Sequence, residues 1–274
     1  MTTTLRPAEP LQEHPDGTRS RRYRVCVNSR PVGEIHLGTS PSLGASVARV
    51  IDLRVEEPFR RRGRGTVAAL AAEEVARGWG CRQIETVVPA EADAALRLFG
   101  TLGYTPRNRA MVKRLGTVPP DLPPGSRARP MTAAEYAAWQ DGESERCART
   151  WLELGVPEAA ARAKAHDDHA RLLPHGLATD GMLFSVLEHE GARVGTLWLA
   201  LKDDSAFVFD VQTDPDRRGR GHGRTLMRLA ERQAIEAGRP VLGLSVFAGN
   251  TPAERLYASL GYETTSLSLA KPLL

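Results

Sequence analysis

Residues 52–115 and 210–273 carry the same landmarks in the same order without a gap. They include Asp52 and Asp210, Arg60 and Arg218, Gly63 and Gly221, Gly65 and Gly223, Gly80 and Gly238, Gly103 and Gly261, Tyr104 and Tyr262, and Lys113 and Lys271. A register this long means one structural plan used twice, and any fold must accommodate it twice. Between the copies lies Gly116–Ser126, four prolines in eleven residues, which can continue neither a helix nor a central strand. It reads as a semi-rigid linker between 1–115 and 127–274. A length of 274 residues suits two such domains.

Each copy has one order of elements. Val47–Val55 and Ala206–Thr213 are β-branched and aromatic enough to be strands. A turn rich in glycine and arginine follows, then an apolar-periodic helix, Thr66–Arg77 or Arg224–Ala237, stopped by a glycine. A short strand comes next (Ile84–Val88 and Val241–Phe247), then a second helix ending at Leu-Gly-Tyr. Thr251-Pro252-Ala253-Glu254 has the pattern of a capping box with proline at the first helical position. Upstream the copies differ. About 15 residues rich in Pro, Glu and Gly separate Leu5 from a strand at Arg21–Val27. The second copy instead places two helices, Thr132–Leu154 and Pro157–Leu173, ahead of a strand starting near Met182; Thr132-Ala133-Ala134-Glu135 opens the first as a capping box.

The turn carries the chemistry. Strand, then Arg218-Gly219-Arg220-Gly221-His222-Gly223, then helix presents the unpaired N–H groups of a helix start, with their partial positive charge. Glycines let a pyrophosphate approach those groups, and Arg218, Arg220 and Arg224 can add charge-assisted bonds. Other readings compete. A solvated turn uses glycine for chain reversal alone. A dinucleotide fingerprint would use Gly63, Gly65, Ala68 and the acidic Glu85, but three arginines intervene after the strand, and Val241 and Gly243 stand where the second copy would need an acid. A nucleic-acid surface would interleave aromatics among the arginines, and none are there.

Arg218-x-x-Gly221-x-Gly223 after a strand resembles motif A of the GNAT acetyltransferases, and Asn250 through Leu256-Tyr257 to Gly261-Tyr262 resembles their downstream signature. The resemblance covers nearly all of 127–274 and, more weakly, 20–115. It implies an α/β fold of the α+β kind: two tandem GNAT-like domains, each a twisted mixed sheet flanked by helices, with acetyl-CoA in a gap between parted strands. The tandem layout with one worn copy is similar to that of tandem GNAT proteins of actinobacteria. Carried over by position, the segment Val211, Gln212 and Thr213 would bond the pantetheine and thioester. Arg218, Gly219, Arg220, Gly221, His222, Gly223 and Arg224 would hold the pyrophosphate. Asn250 would touch CoA, and Tyr257 would stand near its sulfur.

Amine attack on a thioester expels a thiolate, which a positioned phenol can protonate; a helix aromatic packed beside Leu256 and Leu260 is the plainer role for Tyr257. A protonated alkyl amine must first lose its proton. Asp210 is the first candidate base, with Glu188, Glu143 and Glu145 behind it, although Asp52 at the equivalent place leaves a structural acid open. Phe99 replaces Tyr257 and Ala92 replaces Asn250 in the first copy.

These features imply an acetyl-CoA-dependent N-acetyltransferase acting by direct transfer to a small-molecule amine or a peptide N-terminus. A non-catalytic acetyl-CoA-binding or regulatory module is the alternative, and O-acetyl or longer-acyl transfer a further one. Formal charge is only +4, from 37 Lys+Arg against 33 Asp+Glu, which argues against a dedicated nucleic-acid binder. No run of 18 apolar residues and no apolar leader occurs, so a cytoplasmic protein is expected. The N-terminal half is its expected intramolecular partner, and a homodimer is a further arrangement this reading admits. Cys26, Cys81 and Cys147 match no zinc or redox spacing, and Cys147 has no nucleophile motif behind it. His166 and His169 are spaced to share a metal on a helix but lack a third ligand, so no metal is expected. His175, Trp139, Trp151 and Trp198 stand where they would line an acceptor pocket or fill the core.

Overall fold

The computed structural model describes residues 3–153 and 158–273, without the side chains of Thr150, Trp151, Glu153, Ala160, Lys164 and Asp168. In chain order the first elements are β1 (Thr3–Pro7), β2 (Gln12–Glu13), β3 (Arg19–Val27), β4 (Arg30–Ser40), β5 (Gly44–Val55), α1 (Arg64–Gly78), β6 (Gln83–Pro89), α2 (Asp93–Thr101) and β7 (Thr105–Arg114). After the irregular proline segment come β8 (Ser126–Pro130), α3 (Ala133–Glu153), α4 (Glu158–Leu172), β9 (Met182–His189), β10 (Ala192–Leu201) and β11 (Ala206–Thr213). The chain ends with α5 (His222–Glu236), β12 (Val241–Phe247), α6 (Thr251–Ser259) and β13 (Glu263–Pro272). No described helix is long and apolar enough to cross a membrane. The stretch before Arg19, rich in Pro, Glu and Gly, supplies β1 and β2, because β3 offers a free edge that both can pair with.

Two compact units form, and they cut across the two halves of the sequence. Unit 1 is Met1–Met111 with Val246–Thr251 and Thr264–Leu274; unit 2 is Val112–Ser245 with Pro252–Glu263. Unit 1 therefore takes its last strand from the far end of the chain. β13 runs antiparallel to β6, with Ser266 opposite Pro89 and Pro272 opposite Gln83. In unit 2 the segment after Met111 lies beside β12, where the Leu115 N–H donates to the Pro240 carbonyl at 2.8 Å. The sheet of unit 1 runs β1-β3-β4-β5-β6-β13, and that of unit 2 runs from the end of β7 through β12-β11-β10-β9-β8. In both, only one neighbouring pair made entirely within the unit's own half is parallel, β5 with β6 and β11 with β12.

The repeated lysine and glutamate explain how each borrowed strand is held. In unit 1 the Lys271 ammonium donates to Glu73, a carboxylate only 2% exposed, at 2.7 Å, and lies 5.7 Å from the Tyr104 ring centre. In unit 2 Lys113 donates to the buried Glu231 at 2.7 Å and sits 5.7 Å from the Tyr262 ring centre. Burial and the neighbouring carboxylate push both phenols above their usual range. Alanines at 68, 69, 72 and 76 let α1 lie close on its sheet around Ile35, Leu37 and Ile84. Leu226, Met227, Ala230 and Ala234 do the same for α5, where Leu197, Leu199, Leu242 and Leu244 are also fully covered.

The box that opens α3 forms as its residues require. Glu135 Oε2 accepts from the Thr132 N–H at 2.9 Å, and Thr132 Oγ1 accepts from the Glu135 N–H at 3.3 Å. The Arg129 guanidinium and these bonds hold the Glu135 carboxyl down to about 2. Its stabilising effect is thus complete above the ordinary carboxylate range and is lost as pH falls through about 2. Glu135→Gln is expected to cost about 1 kcal/mol of stability at pH 7, read by chemical denaturation, with the difference from wild type vanishing in strong acid.

Candidate active site

The strand that ends at the glycine turn is left half-paired. β11 is hydrogen-bonded to β12 only over Ala206, Phe207 and Val208, opposite Leu242, Gly243 and Leu244. Its pairing with β10 continues to Thr213. Between the Trp198–Asp210 and Leu199–Val208 pairs, Phe209 is an extra residue, a bulge that turns its ring onto Trp198 at 4.5 Å between ring centres. Val211, Gln212 and Thr213 therefore have an edge that β12 does not cover. The first copy repeats this geometry: Val47–Val50 pair with β6, and Ile51 bulges out between Val50 and Asp52.

The two sides of this strand meet different partners. Asp210 and Gln212 face α3. Asp210 Oδ2 accepts from the Trp139 indole N–H at 3.0 Å and lies 3.6 Å from Arg146. With its amide oriented to suit this guanidinium, Gln212 accepts from Arg146 through its side-chain oxygen. Burial, then the charge of Glu143, raises the Asp210 carboxyl above its ordinary value; Trp139 and Arg146 oppose this without cancelling it. Thr213 faces the other way, its hydroxyl 3.7 Å from where a side chain on Gly223 would begin.

The turn itself runs through a short 3-10 segment, Pro215–Arg217, into α5. Gly221 is the helix N-cap at φ 86°, with no side chain capping it, and Gly219 has φ 75°. Open space surrounds both positions, so backbone conformation alone requires glycine there. Gly223 differs: an added Cβ would meet Leu256 at 3.3 Å, so close packing of α5 against α6 requires it. Gly221→Val is expected to lower stability by about 2 kcal/mol, measured as a fall in melting temperature, because a β-branched residue must hold the left-handed conformation.

Not every side chain of the motif points into the open. Arg218 and Arg220 are exposed. Arg224 reaches across to the Ser259 hydroxyl on α6. The His222 ring is buried and packs on His189 at 5.1 Å between ring centres, so only its backbone N–H is offered to the turn. Burial and neighbouring positive charge lower its pKa. Asn250 is exposed on a turn that belongs to unit 1, whereas Asp210, Tyr257 and the glycine turn belong to unit 2.

Tyr257, on α6 in unit 2, is 7% exposed, with its ring 6.1 Å from that of Tyr262 in an edge-on contact. Burial, with a contribution from the Asp210 carboxylate, pushes its phenol up to about 12. It thus keeps its proton throughout the neutral range. Asp210, Tyr257 and the turn after β11 are brought together. The alternative bases are not equivalent to Asp210. Glu188 is bridged by Arg129 at 2.7 Å and Arg127 at 2.9 Å, which lower it, and Glu145 pairs with Arg162 at the surface. Glu143 accepts from Arg146 beside Asp210. His175 is exposed. Trp139 and Trp198 fill a core with Met131, Tyr136, Leu173, Phe184 and Val186, and Trp139 keeps one polar duty, the bond to Asp210. The Trp151 side chain lies outside the described residues.

In unit 1 the equivalent region is a cleft of about 800 Å³, lined by Leu53, Val55, Phe59, Arg60, Arg64 and Phe99 among others. Asp52 is exposed there, without helices over it. Arg61, standing for Gly219, is held at φ 57°.

The profile of the Acetyltransferase (GNAT) family matches residues 3–104 and again residues 136–262. The chain belongs to the GNAT family. Among GNAT relatives, the mycothiol acetyltransferase of Thermomonospora curvata is 27% identical over 255 residues, covering 89% of this chain and 79% of that protein. A GCN5-related N-acetyltransferase from Sphaerobacter thermophilus superposes with a TM-score of 0.61 at 20% identity, covering 92% of this chain and 80% of that one. A tandem GNAT protein from the clavulanic acid biosynthesis pathway gives 0.52 at 20% identity, covering 96% and 85%. These two structures establish the shared GNAT fold. The chain is accordingly an acyltransferase with both family copies present.

Proposed function

We propose that unit 2 transfers an acetyl group directly from acetyl-CoA to a primary amine, on a small molecule or a peptide N-terminus. The observation that carries this reading is that two groups of opposite task lie near the same turn: a mostly buried, raised carboxyl, Asp210, and a buried phenol, Tyr257, that feels its charge. Two titratable groups set apart by their surroundings suit acid–base work. Acetyl-CoA would lay its diphosphate against the N–H groups of Gly221, His222 and Gly223, with Arg218 and Arg220 adding charge. Its pantetheine would run along the uncovered edge of Val211–Thr213. Asp210 takes the ammonium proton, and the free amine attacks the thioester carbonyl. The carbon–sulfur bond breaks as Tyr257 donates to the departing sulfur, and the surplus proton on the new amide nitrogen leaves to solvent, from which Tyr257 regains its own.

Thiol release from acetyl-CoA, followed across a panel of amines, tests the reading. With an accepted amine, kcat/KM is expected to fall as pH drops through a value above the ordinary carboxylate range, because Asp210 becomes protonated there. Asp210→Asn should lower kcat about 100-fold and remove that acidic limb. A variant that keeps the limb unchanged assigns the proton to another group.

The cleft in unit 1 favours a second reading for that copy. Arginines rim it, and Phe99 replaces the phenol, so it suits binding without turnover. If neither copy turns over, acetyl-CoA binds and no amine in the panel releases thiol.

A further inference from the structure

We propose that Glu143, Cys147 and His169 form a binding site for a borderline-soft divalent ion of the zinc class, tying α3 to α4. The carboxylate oxygen, the sulfur and an imidazole nitrogen all lie within 4.8 Å of one another. A tetrahedral zinc ion with bonds of about 2.0–2.3 Å sets its ligands roughly 3.3–3.8 Å apart, so small side-chain adjustments close the set. Oε1 of Glu143 already lies 3.8 Å from the Cys147 sulfur.

His169 gives the independent sign that a ligand is wanted. The residue is only 5% exposed, and its Nε2 is buried without a hydrogen-bond partner among the described residues. Its other nitrogen, Nδ1, bonds the Ala165 carbonyl at 3.1 Å, which leaves the Nε2 lone pair free to coordinate. That is how metal-binding imidazoles are oriented. The second Glu143 oxygen is likewise engaged, by Arg146. On binding, Cys147 gives its thiol proton to solvent as the metal–sulfur bond forms, and the ion sheds water. Three protein ligands leave one position for water.

No contiguous spacing announces this site. Glu143 and Cys147 are one helical turn apart on α3, and His169 comes from α4. His166, its neighbour in the sequence pattern, is exposed.

Titration of the full chain with cobalt(II), as a spectroscopic stand-in for zinc, tests the site. Stoichiometric binding with a thiolate-to-cobalt charge-transfer band and tetrahedral visible bands is expected, with zinc displacing both. Cys147→Ser, nearly equal in size, should abolish the charge-transfer band and weaken zinc binding at least about 10-fold. Replacing Cys26 and Cys81 together should leave the band intact. Absence of the band in wild type, its survival in Cys147→Ser, or its loss on replacing Cys26 and Cys81 overturns the proposal.

Discussion

Tyr257→Phe is expected to lower kcat about 1000-fold while changing acetyl-CoA affinity less than about twofold. The substitution removes one oxygen and keeps the ring that packs against Tyr262, so α6 should hold its place. No cofactor-binding group is altered, since the turn after β11 and the edge of Val211–Thr213 stay as they are. What disappears is a donor that matters only when negative charge develops on sulfur, and an interaction made only then appears in kcat rather than in binding. Because burial holds the phenol near 12, its proton is present at every ordinary pH, and the variant's loss should be the same from pH 7 to 9. Steady-state kinetics with calorimetric binding of acetyl-CoA checks both halves. Full activity in the variant would remove the phenol from the mechanism.

Lys271→Ala should destabilise the protein by about 3 kcal/mol, because it removes the close counter-charge of a buried carboxylate and leaves only Arg77, at 4.0 Å, to compensate it. Glu73 is almost fully covered, its Oε1 has no hydrogen-bond partner among the described residues, and its Oε2 meets Lys271 at 2.7 Å and Arg77 at 4.0 Å, so Lys271 is its main compensation. Lys113→Ala removes the matching partner of Glu231 and should have an effect of similar size. Denaturant unfolding followed by circular dichroism measures each. The double replacement of Glu73 and Lys271 by Gln and Met removes both charges together and should recover much of the loss. A single variant as stable as wild type would mean the borrowed strand is held by its backbone ladder alone.

The repeat made the order of elements legible, because strand–turn–helix–strand–helix recurs with glycines at fixed places. Ala206–Thr213 and Val241–Phe247 are visible from β-branched and aromatic content alone, and the box at Thr132 marks the start of α3. The exchange of last strands is not legible, since β7 and β13 would read the same whether each returned to its own half or crossed. Lys113 and Lys271 appear in the sequence only as matched residues; their glutamate partners emerge when α1 and α5 are packed. Within the site, spacing picks out the turn but cannot tell that the His222 ring folds inward or that Arg224 bonds Ser259. It also cannot distinguish Asp210 from Asp52. They share a position beside a bulge, and the cover of α3 leaves the Asp210 carboxyl mostly buried and raised while Asp52 lies exposed.

β13 closes the sheet of unit 1 from the far end of the chain, and the end of β7, from Val112, belongs to unit 2, so neither unit is built from one half of the sequence alone. Cut anywhere in 116–126, the chain would yield a first fragment without β13 and a second without the 112–114 end of β7, each lacking a part of its own unit. Truncating either half therefore takes away part of the other's sheet, and the two halves are expected to fold and unfold together.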